Sequence, residues 1–359
     1  MSPESLDIDR LETKSVIELP RLIDLKLHAI ENIAEDSKKL LMGDVAVVIV
    51  DDITYKLAGK RTEQVLTDGG IETHVLSIKK ATMDEVNRAI DLYKDVKADF
   101  SVGVGGGTVI DVSKYSSFLQ NMPFASVPTA ASHDGISSAR ASIKGEGRSH
   151  SYGARPPMLV IGDVETISKA PPRFAISGAG DLLSNKTAVL DWELSERITG
   201  EHVSDYASLL SNATADAIIK RRIGIASDAI TRTYTVFKGL VSSSMAMCIA
   251  GTSRPSSGGE HLISHKLDTL LEKPAMHGEQ VGIAAIFSMY LHRGNWRELA
   301  ETLKIIGAPT TAEQIGADAD IMVEAILNAQ ALRPNRYTIL SSRLTEKAVR
   351  KGLETTGIV

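Results

Sequence analysis

DFSVGVGGGTVIDVSKYSSFL, residues 99–119, is the stretch whose reading decides the fold. It begins as a short apolar run, turns on Gly105, Gly106 and Gly107, and continues from Thr108 through Val109, Ile110 and Asp111 with helical spacing. A glycine-rich turn between a strand and a helix lets backbone N–H groups and the helix N-terminus approach a pyrophosphate. A tight turn without a ligand is the plainer reading, but three consecutive glycines exceed what such a turn requires. The pattern departs from GxGxxG, because Thr108 stands at the third glycine and no acidic residue lies between Val112 and His133. The acid expected on a cofactor ribose is thus missing from its usual place. Asp51, which ends the earlier apolar run VAVVIV (45–50), is the better candidate for that task. Asp111 and Lys114, one helical turn apart, read either as an exposed ion pair or as lining of the cofactor groove.

Upstream of this stretch, residues 20–42 carry apolar residues at helical spacing and stop before Gly43, which predicts a helix. VAVVIV reads as a strand buried on both faces, the kind found in parallel sheets. A helix near 54–67, a strand near 71–77 and a helix near 82–95 follow, the last opening on Thr82 and Glu85 at capping-box spacing. Strands and helices in alternation predict a Rossmann-like, doubly wound α/β domain with a parallel sheet, over residues 1–165.

Downstream, FASVPTAASHDGISSARASI (124–143) reads as a short strand ended by Pro128 and then a hydroxyl-rich loop. Thr129, Ser132, Ser137 and Ser138 surround His133, Asp134 and Gly135 there. Such a loop at the carboxyl edge of a parallel sheet is where open α/β sheets bind ligands, although serine-rich surface loops are common. Residues 139–145 and 158–161 read as a β-hairpin. From Pro171 and Pro172 onward the pattern is helical, which predicts an all-α second domain over 166–359 with a polar ending. Gly178 and Gly180 precede a helical run with Asp181 at its start, where the helix dipole alone would justify a carboxylate.

The densest chemistry lies in GGEHLISH (258–265) and HGE (277–279). His261 and His265 are four apart and share one face of a helix, and His277 follows a loop containing Pro274. Neutral imidazole is a common ligand for divalent metals, and Asp181 would add the hard oxygen of a three-ligand catalytic site. No glutamate sits between the two histidines as HExxH requires. From the residues alone, a buried helix whose histidines bond to backbone fits as well.

Composition narrows the function. The net charge of −5 argues against a general nucleic-acid binder. The one cysteine, Cys248, excludes a disulfide framework and a cysteine-rich zinc site, so any metal must rest on His, Asp and Glu. No apolar run is long enough to span a membrane. The start MSPESLDIDRLETKS is acidic and polar, unlike a secretory signal, and predicts a cytoplasmic protein.

GVGGGTVIDVSKY, VPTAASHDGISS, GAGDLLSN, SGGEHLISH and HGEQVG occur in this order over residues 103–282. Together they resemble the archaeal sn-glycerol-1-phosphate dehydrogenases of the iron-containing alcohol dehydrogenase, glycerol dehydrogenase and dehydroquinate synthase superfamily, and the match runs from about residue 20 to 330. The resemblance implies a dehydroquinate synthase-like fold and one zinc ion per subunit on Asp181, His261 and His277. It implies that Gly105, Gly106, Gly107, Thr108, Val109, Ile110, Asp111, Thr129, Ala130, Ala131, Ser132 and Ser138 contact NAD(P)H. Asp134, Asp181 and His265 would face the substrate, with Asp181, His261, His265 and His277 forming the catalytic group. Lys56, near Asp51, would tolerate a 2′-phosphate. The implied reaction is reduction of dihydroxyacetone phosphate to sn-glycerol 1-phosphate, the backbone of archaeal membrane phospholipids, by a homo-oligomer. Lys186 and Arg254 are candidates for the substrate phosphate, or else surface charges. The competing readings are a glycerol dehydrogenase, a dehydroquinate synthase-like lyase, and a catalytically silent NAD-binding sensor.

Overall fold

The computed structural model describes residues 16–145 and 148–359, so the reading of the N-terminal fifteen residues lies outside the described part. Six parallel strands form one sheet in the order β1-β8-β5-β4-β2-β3. They are β1 (Leu22–Lys26), β2 (Val45–Val50), β3 (Glu72–Ser77), β4 (Phe100–Gly105), β5 (Phe124–Pro128) and β8 (Leu159–Asp163). The run VAVVIV shows why such a strand must be central. Ala46, Val48 and Val50 pack into one apolar layer, and Val47 and Ile49 into the layer on the other face. Helices α1 (Ile33–Lys39), α2 (Lys60–Asp68), α3 (Met83–Val96) and α4 (Gly107–Leu119) flank the sheet. Chain order runs outward from β2 to β3 in one direction, and through β4, β5 and β8 in the other. The crevice beyond the carboxyl ends of β2 and β4 is therefore the switch point at which ligands bind in such sheets.

The remaining chain is helical. A short α5 (Val164–Ser168) leads into α6 (Pro172–Thr199), α7 (Asp205–Ser227), α8 (Ala229–Ala250), α9 (Gly259–Leu270) and α10 (His277–Leu291). Then come α11 (Trp296–Ile306), α12 (Ala319–Ala329) and α13 (Glu346–Thr356). Their apolar faces share one core with residues from Ala131 to Ile358. The α/β-then-all-α architecture expected from sequence is present.

Four expectations need correction. Residues 20–42 do not form one helix: Leu22–Lys26 is an edge strand paired to β8, and the helix begins only at Ile33. The hairpin is β6 (Arg140–Gly145) with β7 (Arg148–Gly153), whereas Leu159–Asp163 belongs to the main sheet. Asp181 lies in the interior of α6, beyond reach of the N-terminal dipole. The end of the chain is only partly polar, since Val349, Leu353 and Ile358 are buried in the helical core.

Candidate metal and nucleotide site

The glycine turn delivers α4 to the cleft. Gly106 is its N-cap, and the N–H groups of Gly107 and Thr108 fall in the first turn, where a helix has no acceptor of its own. A side chain on Gly106 would meet open space, whereas one on Gly107 would strike the His133 imidazole at 2.5 Å. Val109 and Ile110 are fully buried and pack the start of α4 against the sheet. At the end of β2, Asp51 Oδ1 accepts from the N–H groups of Ile53 and Thr54 at 2.9 and 2.8 Å. The acid thus caps the helical turn that follows β2 while flanking the switch-point crevice.

β5 and its loop are fastened beside this turn. Thr129 N–H donates to Gly105 O at 3.1 Å, and Ala130, Ala131 and Ser138 are buried in the loop's root. Asp111 and Lys114 do not form an exposed pair. The side chain of Lys114 is entirely buried, 3.8 Å from Asp111, and its ammonium donates to Gly135 O at 2.6 Å and Arg140 O at 2.7 Å. Asp111 lines the cleft, and Lys114 anchors the loop from behind.

Across the cleft, three helices bring Asp181, His261 and His277 together. One donor atom from each lies within 4.8 Å of the others. His261 Nε2 is 3.5 Å and His277 Nε2 is 3.7 Å from Asp181 Oδ1, too long for good hydrogen bonds. Ligands about 2.1 Å from a tetrahedral ion stand roughly 3.4 Å apart, so the spacing suits a metal between them. The ring orientations agree. His261 Nδ1 meets Glu260 Oε1 at 3.0 Å and His277 Nδ1 meets Ser264 Oγ at 3.4 Å, which leaves both Nε2 atoms facing Asp181. The donor set therefore fits a divalent ion.

Buried carboxylates set the electrostatics. Burial and the neighbouring Asp181 push Asp134 up to about 7. Burial alone would depress His261, but Asp181 and Glu260 more than offset it and raise the imidazole to about 9. His265 lies one turn further along α9, its ring 6.5 Å from that of His261 and 6.0 Å from that of His277. Burial, and then the positive fields of His277, His261, Arg333 and Arg336, drive it down to about 3, so it is neutral at physiological pH. The two walls touch at Asp134, whose N–H donates to Asp181 Oδ2 at 3.1 Å and whose carbonyl accepts from Ser244 Oγ at 2.7 Å.

A cleft of about 380 Å³ joins these parts, lined by Gly107, Thr108, Asp134, His261, His265 and His277 among others. The resulting arrangement sets the unpaired N–H groups at the start of α4 opposite a cluster of Asp181, His261 and His277 that could hold a metal ion. The chain is 45% identical over 347 residues to a glycerol-1-phosphate dehydrogenase [NAD(P)+] of Pyrococcus furiosus, covering 96% of this chain and 99% of that protein. The chain belongs to the glycerol-1-phosphate dehydrogenase family. A relative from Methanosarcina barkeri is again 45% identical, over 96% of both chains. Residues 27–171 also match the model of the iron-containing alcohol dehydrogenases. Among solved structures, the glycerol dehydrogenase of Schizosaccharomyces pombe superposes with a TM-score of 0.79 at 21% identity, covering 96% of this chain and 90% of that one. A probable glycerol dehydrogenase of Sinorhizobium meliloti gives 0.77 at 19% identity, covering 95% and 97%. That likeness places this glycerol-1-phosphate dehydrogenase family member in the dehydroquinate synthase-like fold.

The two candidates for the substrate phosphate fall outside the cleft. Lys186 pairs with Asp216 at 2.6 Å, between α6 and α7. Arg254 is buried against Glu201, Tyr337 O and Ser195. The cations that do line the cleft are Arg140, Lys144 and Arg333. No local motif marks them, because the hairpin and the turn after α12 are distant in sequence from the histidines.

Proposed function

We propose that this chain is a metal-dependent sn-glycerol-1-phosphate dehydrogenase that reduces dihydroxyacetone phosphate with NADH or NADPH. The observation carrying this reading is the triad Asp181, His261 and His277 facing the glycine turn across one cleft. A zinc ion, one per subunit, held by the triad would polarise the C2 carbonyl as a Lewis acid, and the nicotinamide would supply the hydride. The N–H groups of Gly107 and Thr108 hold the pyrophosphate, with Gly105, Gly106 and the backbone of Val109, Ile110 and Asp111 shaping the turn. Thr129 to Ser132 and Ser138 line the cofactor's path, and Asp51 meets its ribose. Asp134, steadied by Ser243 Oγ at 3.4 Å and by its N–H on Asp181, orients the substrate. His265, being neutral, accepts a proton at one ring nitrogen while donating at the other, so it relays a proton to the product oxygen.

Residues 1–165 carry the cofactor in this reading, and 166–359 the metal and substrate. No helix among the described residues is long and apolar enough to cross a membrane. Exposed Tyr206 and Leu209 on α7 support a homo-oligomer. The test is oxidation of NADH and NADPH with dihydroxyacetone phosphate, before and after a chelator and again with zinc restored. Turnover that dies with the chelator and returns with zinc, giving the sn-1 product on chiral analysis, is the expected result. Turnover only with glycerol and NAD would replace the reading with a polyol dehydrogenase.

A further inference from the structure

Three cations face the cleft, and they differ in what they already hold. Arg140 spans the hairpin, its Nε and Nη2 each 3.2 Å from Ser151 Oγ and O. Lys144 is exposed and reaches Asp268 only through its field, while Asp268 Oδ1 accepts from Gln280 Nε2 at 3.0 Å. Arg333 differs from both in being withdrawn from solvent with no side-chain partner among the described residues. It is half-buried in the turn after α12, pairs with no carboxylate among the described residues, and its charged neighbour is another cation, Arg140. Behind it lies Arg336, which donates to Ser257 O at 2.7 Å and to Ser253 Oγ at 2.8 Å. Because Ser253 Oγ accepts that bond, its own O–H is left for an acceptor in the cleft, which Ser253 and Ser257 both line. The carboxylates there have partners of their own: Asp111 has Lys114, and Asp134 has Ser243. A half-buried guanidinium set among like charges and open to a cavity is arranged for an anion that arrives from outside.

We propose that Arg333, with the Ser253 hydroxyl beside it, forms the phosphomonoester subsite of this cleft and so selects a phosphorylated substrate. This rests on the dehydrogenase reading above. The cofactor phosphates have their own donors at the start of α4, on the opposite wall. Arg333 stands instead on the wall of His265, whose imidazole feels its charge. The planar fork of arginine matches two phosphate oxygens at once, which a lysine point charge does not.

The experiment compares the wild type with Arg333→Ala and Arg333→Lys, using dihydroxyacetone phosphate and unphosphorylated dihydroxyacetone as alternative substrates. For Arg333→Ala, the preference in kcat/KM for the phosphorylated substrate is expected to fall roughly 100-fold, mostly through its KM. Arg333→Lys should fall in between. Inorganic phosphate should compete with dihydroxyacetone phosphate in the wild type and fail to do so in Arg333→Ala. Equal losses on both substrates, or a raised KM for NADPH with that for dihydroxyacetone phosphate unchanged, would overturn the assignment. A wild type without preference for the phosphorylated substrate would instead sink the glycerol-1-phosphate reading. Calorimetric binding of inorganic phosphate to wild type and to Arg333→Ala would then still decide the subsite.

Discussion

His261 is held from both sides, with Nδ1 on Glu260 and Nε2 facing Asp181. Glu260 in turn accepts from Gly258 N–H at 2.6 Å and Thr187 Oγ1 at 2.9 Å, so the imidazole rests on a carboxylate that cannot swing away. Replacing Glu260 by Gln should weaken metal affinity about 10- to 100-fold, read by competition with a chromogenic chelator. Protonation offers a second check. The metal-free His261 titrates near 9, and a protonated imidazole cannot bind an ion. Apparent metal affinity should therefore climb with pH up to about 9 and level off above it. Calorimetry at neutral pH in buffers of different ionisation enthalpy should show about one proton released per ion bound. Cys248 points the other way. Burial raises its thiol to about 11, so it stays neutral in the fold where an unfolded chain would ionise near 9. The fold accordingly loses stability as pH rises from 9 towards 11, and alkylation by iodoacetamide at pH 8 should be far slower than for a free cysteine. Alkylation of the native protein at the free-thiol rate would refute this.

At the scale of elements, the triad depends on how closely α6 and α10 cross. A Cβ on Gly278 would lie 1.9 Å from Ser177 O, and one on Gly180 would lie 2.3 Å from Gly278 O. Each glycine adjoins a triad residue, His277 or Asp181, so the closest helix contact and the metal site are one feature. Gly278→Ala should cost about 1–3 kcal/mol in denaturant unfolding and also weaken metal binding, because α10 must retreat. An alanine variant of full stability and affinity would show the crossing to be looser. In the sequence, Gly178 and Gly180 read as residues preceding a helical run. They are interior residues chosen for absence of bulk, and helical spacing cannot distinguish the two uses. The strand errors have a similar origin. LIDLK (22–26) runs into the apolar residues of the next helix and passes for its beginning, yet pairing with β8 makes it a strand. Leu159–Asp163 has the composition of any buried strand, and its partners β1 and β5 come from far away in the chain.

For the whole molecule, the cleft exists because the carboxyl edge of the sheet faces a helical layer that holds three donors on three separate helices. An ion held there would tie α6, α9 and α10 together and would bind only the folded chain. Chelation should therefore lower the melting temperature by roughly 5 °C or more, and saturating zinc should restore it. Asp181→Asn should abolish the zinc response. A melting temperature indifferent to chelator would argue that the triad is a hydrogen-bonded cluster only. The sequence by itself marked the parallel α/β half, the helical half and the glycine turn after β4, and the order of its motifs pointed to Asp181, His261 and His277, which the fold brings within reach of one ion. Each of these rests on local periodicity, on residue chemistry, or on motif order. Only the tertiary structure decided that Lys114 is buried, that Lys186 and Arg254 serve other partners, and that Arg333 reaches the cleft. Those facts depend on the side chains that long-range packing places around each charge, and nothing in a charge's own neighbourhood of sequence carries that information.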